Sequence, residues 1–494
     1  MNLPLVLPLL IPVTTAAVCV AAFGHAVWQR WLSIAGAAAH LSVSVWLLFE
    51  VHRGGIQTSQ MGAWPAPFGI TLVSDLFSAI MLILAGFMSL AVLVYSLGSM
   101  DKRRESFGYY PLFHLLLMGV SGSFLTGDIF NLYVWFEVML IASFALLSLG
   151  GEPPQIEGSI KYVTLNLAAS AILLSSIGLV YGLAGTLNMA DLAQKLDRIP
   201  ETGLKSMLAV LFMVAFGLKA AVFPLFFWLP ASYHTCPVPV SAIFAGLLTK
   251  VGVYVLIRAF TLIFVHDAGY THSLLLLISL LTMITGVLGA LAQNEFRRIL
   301  SFHIVSQIGY MVLGLALYTP LALAGSIFYI THHIIVKTNL FLVSGVAHRL
   351  GGTFELKHLG GLNTLRPALG VLFLIPALSL AGLPPLSGFF AKLALVQAAI
   401  SGEQFWAAGI ALAVSLLTLL SMMKIWNEAF WKPASQPPSG APVGMALLGP
   451  VAFLALSTVV IGFSAGPLFE LSDAAARQLL DREGYMQAVL GGRP

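Results

Sequence analysis

An all-α protein that crosses a bilayer many times is the fold class this sequence predicts, and three observations predict it. Of its 494 residues 59% are hydrophobic and only 9% are charged, whereas ordinary soluble domains carry about 25% charged residues. The apolar residues fall in runs of the ~20 that a crossing needs, joined by short loops. Several runs hold a lysine, histidine or glutamate inside them, some beside Pro and Gly breaks. A soluble globule could not cover this much apolar surface, so the membrane is the solvent.

Counting the runs gives about fourteen crossings, centred near Leu10, Val43, Leu84, Leu117, Leu140, Leu173, Met213, Val253, Leu280, Val312, Ile334, Leu374, Leu416 and Leu456. The runs near Leu140 and Val312 are short or closely spaced. The N-terminal run M-N-L-P-L-V-L-P-L-L-I-P lacks the positive leading region of a signal peptide and reads as the first crossing, retained. The longest connections are 51–69, 185–205 and 348–366, and no soluble domain or linker stands out. The stretch K-P-A-S-Q-P-P-S-G-A-P, from Lys432, reads as one connecting loop. The tail after Phe469 is mildly amphipathic and suits the membrane interface.

Basic residues sort by side. One side gathers Arg30, Lys102, Arg103, Arg104, Lys161, Arg297, Arg298, Arg349, Lys357, Arg366 and Lys432. The other has Arg53, Lys195, Arg198, Lys205, Arg258, Arg477, Arg482 and Arg493. The excess favours the first side as cytoplasmic, with both termini outside. A net charge of +4 spread over loops offers no surface for nucleic acid. Two cysteines, Cys19 and Cys236, supply no disulfide framework and no haem or iron–sulfur spacing. Nucleotide fingerprints are missing, as is any H-E-x-x-H or cysteine cluster for a metal. The sequence therefore predicts no cofactor and no metal, and an ion gradient or a partner subunit as the energy source for transport.

Residues 216–250, F-G-L-K-A-A-V-F-P-L-F-F-W-L-P-A-S-Y-H-T-C-P-V-P-V-S-A-I-F-A-G-L-L-T-K, organise the rest. They place Lys219 in an apolar run, break the helix with prolines, and set Lys250 deep in the next run. A central charge on a membrane helix costs about 2.5–3.5 kcal/mol on insertion scales. Broken backbone at membrane depth survives only where protein or water meets the freed polar groups. A second break, A-G-L-P-P-L-S-G-F-F-A-K, echoes the first and carries Lys392. Two interrupted runs in corresponding places point to an internal repeat with a midplane site.

Glu137 lies in N-L-Y-V-W-F-E-V-M-L-I-A-S. Burial disfavours a lone charged carboxylate, and a lysine from another helix keeps it charged; Lys219 is the natural partner. Pairing favours both charged forms, while separation lets a buried lysine give up its proton. A pair that opens and closes can thus drive a proton on or off, and the alternative is a static ion pair that fixes packing. His332, His333 and Lys337 occur in Y-I-T-H-H-I-I-V-K-T-N-L-F. His333 and Lys337 share a helix face, and imidazole passes protons near neutral pH, so His333 is the better relay candidate of the two histidines. Lys250 lies too far from its run end to reach water, whereas Arg258 can snorkel, and Lys392 is open to both readings. His234, after the first break, and His303, near the start of its run, are proton-uptake positions or plain histidines. Asp75, Asp128 and His114, near run ends, belong by default at the interface.

These residues resemble the proton-pumping antiporter-like family shared by respiratory complex I and the Mrp-type multisubunit cation/proton antiporters. The resemblance is carried by G-L-K-A-A-V-F-P-L-F-F-W-L-P, H-T-C-P-V-P-V-S-A-I-F-A-G-L-L-T-K-V-G-V-Y, N-E-F-R-R-I-L-S-F-H-I-V-S-Q-I-G-Y, H-H-I-I-V-K-T-N-L-F and G-L-P-P-L-S-G-F-F-A-K, with the Glu137 run. L-P-A-S-Y-H-T-C-P-V-P-V-S and R-I-L-S-F-H-I-V-S-Q look like the D-type Mrp form. Complex I subunits tend to have an acidic residue where this chain has Cys236.

The resemblance implies fourteen helices with two inverted five-helix repeats, over about 106–265 and 270–432. N-terminal helices to about 105 and a last helix and tail from about 433 flank them. It implies an ion-pairing Glu137, a proton-carrying Lys219, and a polar axis through Lys250, His332 or His333, and Lys337 to Lys392. The last position varies in the family between lysine and glutamate. It further implies a subunit of a Na+/H+ or K+/H+ antiporter in the bacterial inner membrane, with A- and C-type subunits as neighbours. A proton-pumping subunit of complex I or of a membrane-bound hydrogenase is the main alternative, and a non-transporting scaffold is the other.

Overall fold

In lipid a backbone must satisfy its own polar groups, and within one segment only a helix does so. Each of the fourteen predicted run centres accordingly falls inside a helix. The computed structural model describes residues 2–200, 203–434 and 442–491, so Arg493 and most of the Pro/Ser-rich loop lie outside the described residues. Among these residues 12 helices, from Leu3–Ala21 to Met445–Phe463, are long and apolar enough to cross a membrane. Three shorter apolar helices, Tyr109–Leu125, Pro367–Ala381 and Ser387–Ser401, accompany them. The runs near Leu140 and Val312 are full-length helices, Ile129–Leu147 and Phe296–Leu317. The short ones are those near Leu117 and Leu374.

Two helices are buried along their whole apolar length, Val238–Leu262 and Pro320–Gly351, while Ala26–Gly54 and Pro153–Ala184 turn most of theirs outward. Pro320–Gly351 packs against Phe296–Leu317, Ser387–Ser401, Met445–Phe463 and Leu76–Ser99. This position explains how His332, His333 and Lys337 can sit in an apolar run: no lipid touches them. One glycine sets a close crossing. A Cβ on Gly252 would stand 2.5 Å from the Ala220 amide nitrogen, so glycine lets Val238–Leu262 lie directly against the end of the helix that carries Lys219.

Both predicted breaks are present, and their freed groups find partners. Helix Gly203–Ala220 stops at Ala221, whose φ is 62°. Trp228 Nε1 then donates to the Leu218 carbonyl at 3.0 Å, and the Phe223 amide donates to Thr282 Oγ1 at 2.9 Å. Helix Pro367–Ala381 ends at Gly382, φ 90°, whose amide donates to the Leu378 carbonyl at 3.0 Å. The chain resumes as Ser387–Ser401, which carries Lys392.

Two expectations change, and the tail gains a packing partner. The connection 51–69 leads into a two-stranded antiparallel hairpin, Gln57–Gln60 with Thr71–Ser74, too short and polar to read as strands. The tail packs on the bundle: Ala465–Leu480 lies against Pro320–Gly351 and Leu76–Ser99, and Gln478 Oε1 accepts from the Leu76 amide at 2.7 Å. Arg258 does not snorkel, and Asp75 is not interfacial; both are buried and they form an ion pair with each other. The reason is local. Asp75 caps helix Leu76–Ser99 through a capping box with Ser78, which fixes its carboxylate under Arg258, and the rings of Tyr254 and Tyr485 flank the guanidinium at 5.7 and 5.2 Å.

Removing one partner of such a pair strands a buried charge, at a cost of about 3–5 kcal/mol. Arg258→Met is expected to destabilise the protein by about that amount, and adding Asp75→Asn, which keeps the cap, is expected to recover most of it. Thermal unfolding of the purified variants in detergent measures both.

Candidate functional site

Lys219 is only 5% exposed, and its Nζ donates to the Asn166 carbonyl at 3.3 Å and to Ser170 Oγ at 3.1 Å, both on helix Pro153–Ala184. The ammonium also stands 5.6 Å from the centre of the Phe136 ring. Glu137, the next residue, is half-buried on Ile129–Leu147. Its Oε1 is buried without a hydrogen-bond partner. The carboxylate acts on Lys219 electrostatically, yet no ion pair within 4.0 Å joins them. The expected couple therefore lies side by side in this structure with its direct bond open.

Lys250, His332, His333 and Lys337 are wholly buried. Lys250 follows a π-helical segment, Phe244–Leu248, and its Nζ donates back to the Ala245 carbonyl at 2.5 Å. Such segments widen a helix and leave a carbonyl without its usual donor. Lys337 donates to the Leu300 carbonyl at 3.1 Å. His333 lies in the field of Lys250, Lys337, His332 and His303, and neither of its ring nitrogens has a protein partner. His332 faces the other way: its Nδ1 is 2.8 Å from Ser387 Oγ, at the start of the helix that resumes after the second break.

Lys392 is 6% exposed, which decides against snorkelling. Its Nζ donates to the Leu380 and Ala381 carbonyls, each at 3.0 Å, and to Ser415 Oγ at 2.8 Å. A cation on the last carbonyls of a helix also meets the negative end of its dipole. The two breaks thus use their lysines differently. Lys392 itself satisfies the second break, whereas at the first Trp228 takes the freed carbonyl and Lys219 reaches across to another helix.

His303 sits deep in the bundle. It is wholly buried, its Nε2 is 2.9 Å from Ser421 Oγ, and it stands in the field of both Lys337 and Lys392. His234 lies near the basic face. Burial first, then the Arg297 and Arg298 charges, push its imidazole down to about 4. Nearby, a cavity of about 620 Å³ is lined by Arg104, Arg297, Arg349 and Cys236. Burial pushes the Cys236 thiol up to about 11, and its Sγ is 3.2 Å from Ser241 Oγ. The hydroxyls of Ser170, Ser387, Ser415 and Ser421, and Lys424, whose Nζ donates to the Leu291 and Gln293 carbonyls at 3.1 and 2.7 Å, were not singled out by the sequence. A serine in a helix bonds its own preceding turn by default, so nothing in a single sequence marks the ones that bond a lysine or histidine instead.

Residues 126–418 match the family described as "NADH:quinone oxidoreductase/Mrp antiporter, TM", and the chain belongs to that family. It is 48% identical to the D-type subunit of the Na(+)/H(+) antiporter of Alkalihalophilus pseudofirmus, over 99% of this chain and 100% of that protein. Among solved structures it resembles a chain of the Mrp complex from Dietzia sp. DQ12-45-1b, with TM-score 0.93, 35% identity, and 99% and 100% of the two chains covered. It also resembles a chain of the membrane-bound sulfane sulfur reductase, an archaeal respiratory membrane complex, with TM-score 0.92, 26% identity, and again 99% and 100% covered.

Proposed function

We propose that this chain is the proton-translocating membrane subunit of a multisubunit Na+/H+ or K+/H+ antiporter. The observation that carries the reading is the bonding of the buried lysines. Lys219, Lys250, Lys337 and Lys392 donate to main-chain carbonyls and hydroxyls, and among the described residues none has a carboxylate within ion-pair distance. An amine bonded to neutral acceptors gives up one of its three N–H donors when it discharges and keeps the other two, so it can release and regain a proton without stranding an opposite charge. Full-length similarity to a named Na(+)/H(+) antiporter subunit supports the antiport reading.

In this reading protons reach Lys219 through a half-channel, move along the axis of Lys250, His332 or His333, and Lys337, and leave by Lys392. Glu137 gates Lys219: when the carboxylate closes on the ammonium the proton is held, and when it withdraws the proton is released. Counting Tyr109–Leu125 as a crossing, and the helices on either side of Gly382 as one broken crossing, gives fourteen crossings, ten of which form two inverted five-helix repeats, each with one break. The repeats span about 106–265 and 270–432. The basic face is cytoplasmic by the excess of Lys and Arg, the termini lie outside, and neighbouring subunits of the A and C type cover part of the outward surface. A redox-driven proton pump is the second reading, favoured by the similarity to a chain of an archaeal respiratory complex. Genomic neighbours separate the two.

Glu137→Gln and Lys219→Ala are each expected to lower antiport in everted vesicles by about a hundredfold, the usual contribution of a positioned proton-transfer group, with the complex still assembled. Wild-type rates in either variant would overturn the gating role. His234, held at about 4 against an ordinary value of about 6.5, is neutral above about pH 5. His234→Gln is therefore expected to leave the pH profile of antiport unshifted from about pH 6 to pH 9. A shifted acid limb would place a titrating proton on that ring.

A further inference from the structure

A second polar seam runs through the N-terminal helices, before residue 126, where the family match begins. His40 on Ala26–Gly54 and His114 on Tyr109–Leu125 are both wholly buried. His40 Nε2 is 3.0 Å from Ser121 Oγ. His114 faces the Ser33 carbonyl outside hydrogen-bond geometry, and it bears on His40 electrostatically. Ser33 and His40, like His114 and Ser121, are seven residues apart. The two helices therefore run side by side in parallel, and the histidines are stations on one seam, roughly 10 Å apart along it by helix rise.

The seam continues to the basic face. Arg30 and Tyr110, each one turn before Ser33 and His114, both bind Glu105. Arg30 Nε and Nη2 reach its two oxygens at 2.8 Å, and the Tyr110 hydroxyl donates to Oε1 at 2.8 Å. Arg30 and Glu105 line an open cavity of about 650 Å³. At the inner end His40 Nδ1 faces helix Leu76–Ser99, where a Cβ on Gly86 would stand 2.9 Å away. Ser89 lies one turn along that helix. Four buried polar atoms along this path have no protein partner: His40 Nδ1, both ring nitrogens of His114, and Ser89 Oγ.

An unpaired buried nitrogen costs more than immobilising a water that bonds it. A neutral imidazole offers one donor and one acceptor, which is what a file of water needs at each station. We propose that this seam is a binding site for internal water, a hydrated branch from the Glu105 cavity to His40 that is separate from the Lys–His axis. Apolar side chains would have filled the same space without leaving nitrogens to satisfy.

A water-resolving electron cryomicroscopy map of the assembled complex tests this without any variant. Ordered water touching His114 and His40 is expected; rings repaired directly to protein atoms, with no water between them, would overturn the proposal. Solid-state NMR of the 15N-histidine-labelled complex in lipid gives a second reading. Magnetisation transfer from water is expected at two ring signals, one lost in His40→Gln and the other in His114→Gln. No transfer to either ring would overturn the proposal. Neither measurement depends on antiport, so its outcome is independent of the transport reading.

Discussion

An ammonium in the middle of a bilayer must find oxygen, and here it finds main-chain oxygen. The rest of the structure follows from that constraint. A regular helix spends its carbonyls on its own amides, so Lys219 and Lys337 share the Asn166 and Leu300 carbonyls with regular helices, whereas irregular backbone frees carbonyls for the other two lysines. The break after Ala381 presents the Leu380 and Ala381 carbonyls to Lys392, and the π-helical segment at Phe244–Leu248 precedes Lys250, bonded to the Ala245 carbonyl. At Lys250 and Lys392 irregular backbone and buried base are two halves of one arrangement. Either alone would be costly in lipid; together each meets the other's need.

The same arrangement separates binding from charge. A lysine in a tight ion pair is committed to the charged state, because discharging it leaves a carboxylate alone. Lys219, Lys250, Lys337 and Lys392 carry no such commitment, each being bonded to neutral oxygen. Glu137 is the exception that proves useful: it acts on Lys219 without bonding it, and its Oε1 has no other partner. In the proposed reading, a small approach or withdrawal of this carboxylate changes how firmly Lys219 holds its proton, and the remaining bases accept it.

Much of this was legible in the sequence, and the reasons are physical. Apolar runs near the length of a crossing mark the helices, Pro and Gly mark the breaks, and a charge inside a run is too costly to be incidental. The limits are equally specific. Asp75 and Arg258 lie 183 residues apart, and each alone looks like an interfacial residue at a run end. His303 looked like a residue near the start of a run because its depth is set by how Phe296–Leu317 packs, not by its place in the chain. The serines that hold Lys219, Lys392 and His303 carry no periodic signal. The alternating polarity that betrays a strand is missing from Gln57–Gln60, so its pairing emerges only with its partner.

The claim that neutral acceptors keep these lysines free to exchange protons is tested most directly by giving one of them an acid. Ser170 Oγ is 3.1 Å from Lys219 Nζ, so Ser170→Asp places a carboxylate against the ammonium and Ser170→Asn places a neutral oxygen there. The antiport rate of the two variants, in complexes of equal assembly, is the measurement. Strong loss in Ser170→Asp with near-normal rates in Ser170→Asn is the predicted result; equal rates in both would contradict it.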